Sequence, residues 1–177
     1  MSALLAIDTS TSRTSVALIA DNQVIWSEFE DGVNAHAEAV PRLVQRALLI
    51  NNEISRVIVG MGPGPYTGLR AGISFAQAFA WARNIEVAGV CSLDAITCTA
   101  TEYIAATDAR RKEIYWASYK DGVRILGPTV SKPSEVSDFI IGQYPNLQKL
   151  VALSSSQNIT EPMYLRRPDA IPTVERT

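Results

Sequence analysis

Two stretches of this chain carry residue types that can do chemistry. Asp8 ends the apolar run Leu4-Leu5-Ala6-Ile7 and is followed by Thr9-Ser10-Thr11-Ser12. A carboxylate at a strand end can hold a hydrated divalent cation, and the hydroxyls and amides of the next turn can meet phosphate oxygens. The run lacks the glycine that would let the backbone close on a phosphate, and the same hydroxyls also satisfy an ordinary turn. The second stretch is Gly62-Pro63-Gly64-Pro65-Tyr66-Thr67-Gly68-Leu69-Arg70. It reads either as a phosphate loop entering a helix N-terminus or as a tight strand-to-helix link capped by Thr67. No Lys-Ser/Thr pair follows its glycines, so it is not a Walker A loop. The structural reading is favoured, with Gly62, Gly64, Thr67, Gly68 and Arg70 as its residues.

Composition narrows the chemistry further. The chain has 177 residues, 47% apolar and 19% charged, as expected of a globular protein of one domain or two small lobes. With 16 basic and 18 acidic residues its net charge is -2, which argues against unaided nucleic-acid binding. The single histidine, His36, cannot build a His-rich metal site, and no GxSxG elbow accompanies it. It reads as a helix-start or interface side chain. Cys91 and Cys98 lack CxxC spacing and read as reduced thiols. No basic region precedes the first apolar run and no stretch reaches the ~18 apolar residues of a membrane span. The expectation is a cytoplasmic protein without membrane contact.

The elements that must position these residues follow from hydrophobic period. Strands are expected at Leu4 to Ile7, Thr14 to Ala20 and Val24 to Phe29, with a turn at Asp21-Asn22-Gln23. A helix follows from about His36 to Leu48, with Asn34 as N-cap and Pro41 inside it. Arg56 to Val59 is a strand, Gly68 to Arg83 a second helix and Val87 to Val90 a strand. Leu93 to Ile104 reads as a third helix. Ile114 to Tyr119 reads as a strand, Pro133 to Ile141 as a helix and Lys149 to Leu153 as a strand. Ser154 to Thr160 reads as a polar loop and the tail past Arg167 as frayed.

Near residue 106 the pattern restarts. Ala106-Thr107-Asp108 repeats Ala6-Ile7-Asp8, and each is followed by a polar run, a strand and a turn, at Asp21-Asn22 or Asp121-Gly122. Two lobes are implied, 1–104 and 105–177, with Asp8 and Asp108 facing across a cleft. The first 100 residues carry net charge -3 and the rest +1, mostly from Arg110-Arg111-Lys112 and Arg166-Arg167. Within the second helix, Gly68, Gly72, Ala76 and Ala80 form a stripe of small residues. Such a stripe admits close approach of another element, either within the chain or from another chain.

These residues together resemble the TsaB (YeaZ) family, a subunit of the bacterial machinery that makes threonylcarbamoyladenosine in tRNA. The resemblance rests on Ala6-Ile7-Asp8-Thr9-Ser10, on His36 and Glu38 before Pro41, and on the Gly62 to Arg70 loop. It continues in Asp108-Ala109-Arg110, Glu113-Ile114-Tyr115-Trp116-Ala117 and Pro162-Met163-Tyr164-Leu165-Arg166. It implies an α/β protein of the actin/hexokinase/Hsp70-like (ASKHA) type, with duplicated lobes of mixed sheet and helices. In the catalytic relative TsaD a His-x-x-x-His metal motif follows the strand matching Val87 to Val90. Ser92 and Ile96 stand at those places here, so the resemblance implies no metal ligation by this chain.

What the resemblance implies is a non-catalytic scaffold that binds and activates a TsaD-like subunit, together with a TsaE-like ATPase. That complex transfers a threonylcarbamoyl group to the adenine beside the anticodon. ATP and metal are expected on the partner subunits and tRNA only as part of the complex. The interface, to TsaD or in a homodimer, is expected on the first-lobe helices, at His36, Val40, Leu43, Val44, Ala47, Gly68, Gly72, Ala76 and Ala80. Asp8, Thr9, Ser10 and Asp108 would line a degenerate nucleotide cleft. Family members carry more chain between the strand near 150 and the Pro-x-Tyr-Leu-Arg motif, so the second lobe is reduced. Two other readings stand beside this one: an ATP-dependent kinase or phosphatase using Asp8 and Asp108, and a metallopeptidase, which the lone histidine opposes.

Overall fold

The computed structural model describes residues 2–32 and 35–166. The N-cap expected at Asn34, the basic residue Arg167 and the tail lie outside the described residues.

The first sheet is built from β1 (Ala3–Asp8), β2 (Arg13–Ala20), β3 (Gln23–Asp31), β4 (Ile54–Gly60) and β5 (Glu86–Val90). Its order is β3-β2-β1-β4-β5, antiparallel on the β3 side and parallel from β1 to β5. Helices α1 (His36–Ile50) and α2 (Tyr66–Arg83) supply the crossovers. Successive side chains point to opposite faces, and the central strands are buried on both. Leu5, Ile7, Val16 and Leu18 point to the face covered by Val40, Leu43, Val44, Leu69, Ile73 and Ala76. Ala6, Ala17, Ile19, Ile58 and Ala88 point to the opposite face, under Leu150 and Val151.

The second sheet comprises β6 (Glu102–Arg110), β7 (Glu113–Lys120), β8 (Val123–Ser131) and β9 (Phe139–Ile140), in the order β8-β7-β6-β9. Its senses repeat those of β3-β2-β1-β4: two antiparallel pairs, then a parallel one. The hairpins match as well. Asp21 and Asn22 (φ 48° and 60°) and Asp121 and Gly122 (φ 51° and 76°) turn with both central residues left-handed, the geometry that suits strand twist. The strand–Asp–turn repeat is thus a structural duplication. The expected division at 104 falls inside β6, which opens the second sheet at Glu102.

Three elements differ from expectation. The stretch from Leu93 is helical only as a 3-10 turn, Leu93–Ala95, and then runs into β6. Its β-branched residues Thr97, Thr99, Thr101 and Ile104 disfavour a helix. Tyr103, Ala105 and Ala109 face one core and Ile104 and Ala106 another, a period of two that starts earlier than the sequence reading placed it. The helix expected over 133–141 is a 3-10 turn, Pro133–Glu135, followed by β9; Asp138 at φ 56° breaks the chain direction. The strand expected at 149–153 is α3 (Leu147–Leu153). Asn146 caps it, its Oδ1 accepting from Lys149 N at 2.9 Å, and Leu147, Leu150 and Val151 form its buried stripe. Although it follows the second sheet in sequence, α3 packs on the first.

The last described segment binds both sheets. Ile159 N donates to Gly89 O and Met163 N to Met61 O, each at 2.8 Å. Arg166 donates to Ala109 O at 3.0 Å and pairs with Glu113 at 2.9 Å. From α3, Gln148 reaches Asn22 O. Among the described residues no helix is long and apolar enough to cross a membrane.

Candidate functional site

Asp8 sits where the sequence places it, at the end of β1, but it is sealed. Only 1% of the residue is exposed. The Ser10 backbone N–H and hydroxyl donate to Oδ1 at 3.0 and 2.7 Å, and the Ser92 hydroxyl donates to Oδ2 at 2.6 Å. Across the sheet Gly60 leaves space for this cluster, because a Cβ there would fall on Asp8 Oδ2 and Ser92 Oγ. Burial pushes the Asp8 carboxyl above the usual range, against the lowering effect of Ser92 and Ser10. A hydrated cation or a phosphate does not fit here: the side chain is buried and both oxygens are engaged. The Ser92 hydroxyl takes part in this closure, and Ile96 is buried in the core of the second sheet.

The Gly/Pro loop closes the same site from outside. Thr9 donates its hydroxyl to Gly68 O at 2.7 Å. A Cβ on Gly64 would come within 2.5 Å of Ser10 O. Ser92 N donates to Gly62 O at 2.8 Å. The loop is therefore packed on the Asp8 turn, not open as a phosphate cradle. Helix α2 starts at Tyr66 with Pro65 at its cap and no capping side chain, so the cap expected from Thr67 is absent and Thr67 lies in the first turn. Arg70 is exposed and donates to the Tyr66 hydroxyl at 3.1 Å. Tyr66 in turn packs on Tyr164, ring centroids 4.9 Å apart.

The Asp8 cluster has a measurable signature. Asp8→Asn keeps an acceptor for Ser10, and the Ser92 hydroxyl can turn to accept, so unfolding free energy changes by about 1 kcal/mol or less. Asp8→Ala strands three buried donors and costs about 2–4 kcal/mol. Denaturant unfolding of the two variants separates these values.

The nine residues expected at a partner surface are all interior. His36, Val40, Leu43, Val44, Ala47, Gly68, Gly72, Ala76 and Ala80 are buried within this chain. The stripe of small residues brings α2 onto the Asp8 turn and α1: a Cβ on Gly72 would strike the Thr9 side chain, and one on Gly68 would lie 2.7 Å from Thr9 O and 3.2 Å from the His36 ring. Of the two readings of the stripe, the intramolecular one describes what these side chains touch. His36 Nδ1 lies 2.8 Å from Thr14 Oγ1, tying the start of α1 to β2.

Burial, then the nearby Arg110 charge, holds the His36 imidazole below its ordinary range. The unfolded chain therefore takes up this proton at higher pH than the native one. As pH falls through about 6.5 the unfolded state gains protons first, so stability falls toward acid. His36 being the sole histidine, His36→Gln flattens the stability profile between about pH 7 and pH 5. Urea midpoints across that range give the check.

Several side chains that organise the site carry no signal in their local sequence. Asp94 is buried and accepts from the Tyr119 hydroxyl at 2.8 Å and from Gln157 Nε2 at 2.7 Å. Arg124 lies 3.5 Å from Asp94 and 3.2 Å from Cys91 Sγ. Burial, followed by the Asp94 charge, pushes the Cys91 thiol up to about 12, which leaves it a poor nucleophile. Arg13 is held bidentate by Asp31 and lies between the rings of Phe29 and Tyr144, 3.6 and 3.8 Å from their centroids. On the outer side of the helices, Trp81 is 86% and Leu49 83% exposed. The period alone could have found this face, since Tyr66, Arg70, Gln77 and Trp81 share one stripe of α2 and Glu38, Arg42, Gln45 and Leu49 one of α1.

Asp108 is separated from the other cleft residues. It is exposed and lines a cleft of ≈ 170 Å³ between the lobes, with Thr11 and Ser12 opposite. Asp8, Thr9 and Ser10 lie behind that wall. The expected four-residue nucleotide cleft is therefore not assembled.

The duplicated meander, each copy led by an Asp-bearing strand and joined by a parallel fourth strand, defines an actin/hexokinase-like (ASKHA) protein. Comparisons with known proteins identify the family. A profile of the family described as TsaD, tRNA N6-adenosine threonylcarbamoyltransferase, matches residues 21–170. An uncharacterized protein of Mycobacterium tuberculosis (strain H37Rv) is 37% identical over 201 residues, covering 97% of this chain and 95% of that protein. The tRNA threonylcarbamoyladenosine biosynthesis protein TsaB of Escherichia coli is 38% identical over 136 residues, 66% of this chain and 54% of its own length. YeaZ from Pseudomonas aeruginosa superposes with a TM-score of 0.70 at 26% identity, covering 88% of this chain and 92% of that one. The chain belongs to this threonylcarbamoyltransferase family, as a TsaB/YeaZ member. It spans 57% of the length of a Mycobacterium leprae relative and about half of the TsaB proteins it matches.

Proposed function

We propose that this chain is a non-catalytic scaffold subunit in tRNA threonylcarbamoyladenosine biosynthesis, which binds and activates a TsaD-like subunit. The observation that carries this reading is the sealed Asp8. A carboxylate whose oxygens are both held by Ser10 and Ser92, behind the packed Gly/Pro loop, has no access to a phosphate or a metal. The role of the TsaB relatives in tRNA threonylcarbamoyladenosine biosynthesis supports the pathway, and the family profile supports a partner of the same fold. ATP and metal belong on the partner subunits. A TsaE-like ATPase completes the assembly, and tRNA is met only within it.

The partner contact runs over the outer faces of α1 and α2. These carry an exposed tryptophan and an exposed leucine near their C-terminal ends, with Ser74 and Ala78 between Tyr66 and Trp81. A large exposed aromatic among small residues is the composition of an interface anchor. In the absence of a TsaD-like chain, a second copy can take the same face. The kinase or phosphatase alternative needs an open phosphate turn after β1, which the packing of Gly64 on Ser10 denies it. Co-expression with the TsaD-like subunit of the same organism, followed by size-exclusion chromatography, tests the reading. A stoichiometric complex is expected; separate elution of the two chains at micromolar concentration rejects it.

A further inference from the structure

The cleft between the lobes holds groups that no part of the scaffold role uses. Its walls include Thr11 and Ser12 from the turn after β1, Thr107, Asp108 and Arg110 from β6, and Tyr144. Thr107 is 5% exposed and its hydroxyl has no hydrogen-bond partner among the described residues. A buried hydroxyl without a partner calls for an explanation, and a bound ligand is one. Arg110 adds a second observation. Its backbone is left-handed, at φ 65°, held there by its N–H donating to Asp108 Oδ1 at 2.8 Å. The guanidinium does not return to Asp108. Among the described residues it has neither an ion-pair nor a hydrogen-bond partner. One cation and one carboxylate thus line the same small cleft without pairing to each other.

We propose that this cleft binds a small zwitterion of amino-acid size, its carboxylate on Arg110 and its ammonium on Asp108, with Thr107 completing the hydrogen bonds. Size excludes a nucleotide, because the ≈ 170 Å³ available is below the ~300–1,000 Å³ of ordinary ligand pockets. Charge separates a zwitterion from a simple anion: inorganic phosphate or acetate would satisfy Arg110 but meet Asp108 with like charge. A simple amine would do the reverse. Only a ligand carrying both charges uses both side chains.

Titration of the full-length chain with L-alanine, acetate, methylammonium and inorganic phosphate, read by amide chemical shifts, tests the assignment. L-Alanine is expected to bind about tenfold more tightly than any of the other three, with saturating shifts at Thr107, Arg110 and Tyr144. Asp108→Asn retains the acceptor that holds the Arg110 N–H, so the hairpin stands while the charge is lost; it and Arg110→Gln each weaken L-alanine about tenfold. Thr107→Val, close in shape, weakens it less and leaves the unfolding midpoint in place. Absence of saturable shifts with L-alanine overturns the proposal. So does phosphate or acetate binding as tightly as L-alanine, or tighter binding of phosphate by Asp108→Asn with L-alanine unaffected.

Discussion

Gly72→Leu removes about 3–4 kcal/mol of folding stability, a large part of the ~5–15 kcal/mol available to a domain. The first carbon of any side chain at 72 meets Thr9, whose Cγ2 and Cβ would lie at 3.1 and 3.3 Å. Thr9 cannot yield freely, because its hydroxyl is bonded to Gly68 O, one turn back on the same helix. The added leucine therefore lifts α2 from the Asp8 turn and breaks that bond. It also opens the apolar layer of Leu69, Ile73 and Ala76 against β1 and β4. Urea unfolding is the measurement. An unchanged midpoint would mean that α2 does not sit on Thr9. The consequence for any binding experiment is direct: loss of partner binding in a Gly72 variant reports a damaged fold and not a lost contact.

Trp81→Ala is expected to do the opposite. Trp81 is 86% exposed, so its removal alters stability by about 0.5 kcal/mol or less. Its affinity for a TsaD-like subunit falls about 30-fold or more, the loss of an interfacial anchor worth about 2 kcal/mol. Leu49→Ala, on the neighbouring helix, lowers affinity by a smaller factor. Calorimetric titration of the purified subunits measures both. Undiminished affinity of the Trp81 variant would remove the outer face of α2 from the contact.

Much of the first lobe is legible in the sequence because period and turn chemistry act locally. Leu5 and Ile7 alternate with Ala6, and α1 repeats Val40, Leu43, Val44 and Ala47 at helical spacing. The duplication is legible too, since the turn types at Asp21-Asn22 and Asp121-Gly122 are fixed by the residues themselves. The second half is harder. The Leu150-Val151 run is equally consistent with a strand or a short helix; the capping Asn146 and the sheet it covers decide for helix. The stretch after Ser92 is short of helix formers, and its strand pairs across to β7, a contact no local pattern encodes.

The site divides along the same line. That Asp8 ends a strand is a local fact. That Ser92, from beyond β5, closes over it is not, and the sequence gives no sign that Gly60 leaves the space for both. The stripe from Gly68 to Ala80 was visible, but which neighbour it admits depends on Thr9 and His36 lying beneath it. A small-residue stripe states that something comes close, never what.

The measurement that bears most directly on the scaffold reading is reconstituted threonylcarbamoyl transfer to tRNA, using the TsaD-like and TsaE-like subunits with and without this chain. Transfer is expected to require the chain, and to proceed at an unchanged rate when the chain carries Asp8→Asn. A rate that collapses with Asp8→Asn in a folded, partner-bound subunit would make Asp8 a reacting group and contradict the account. So would transfer at full rate without the chain.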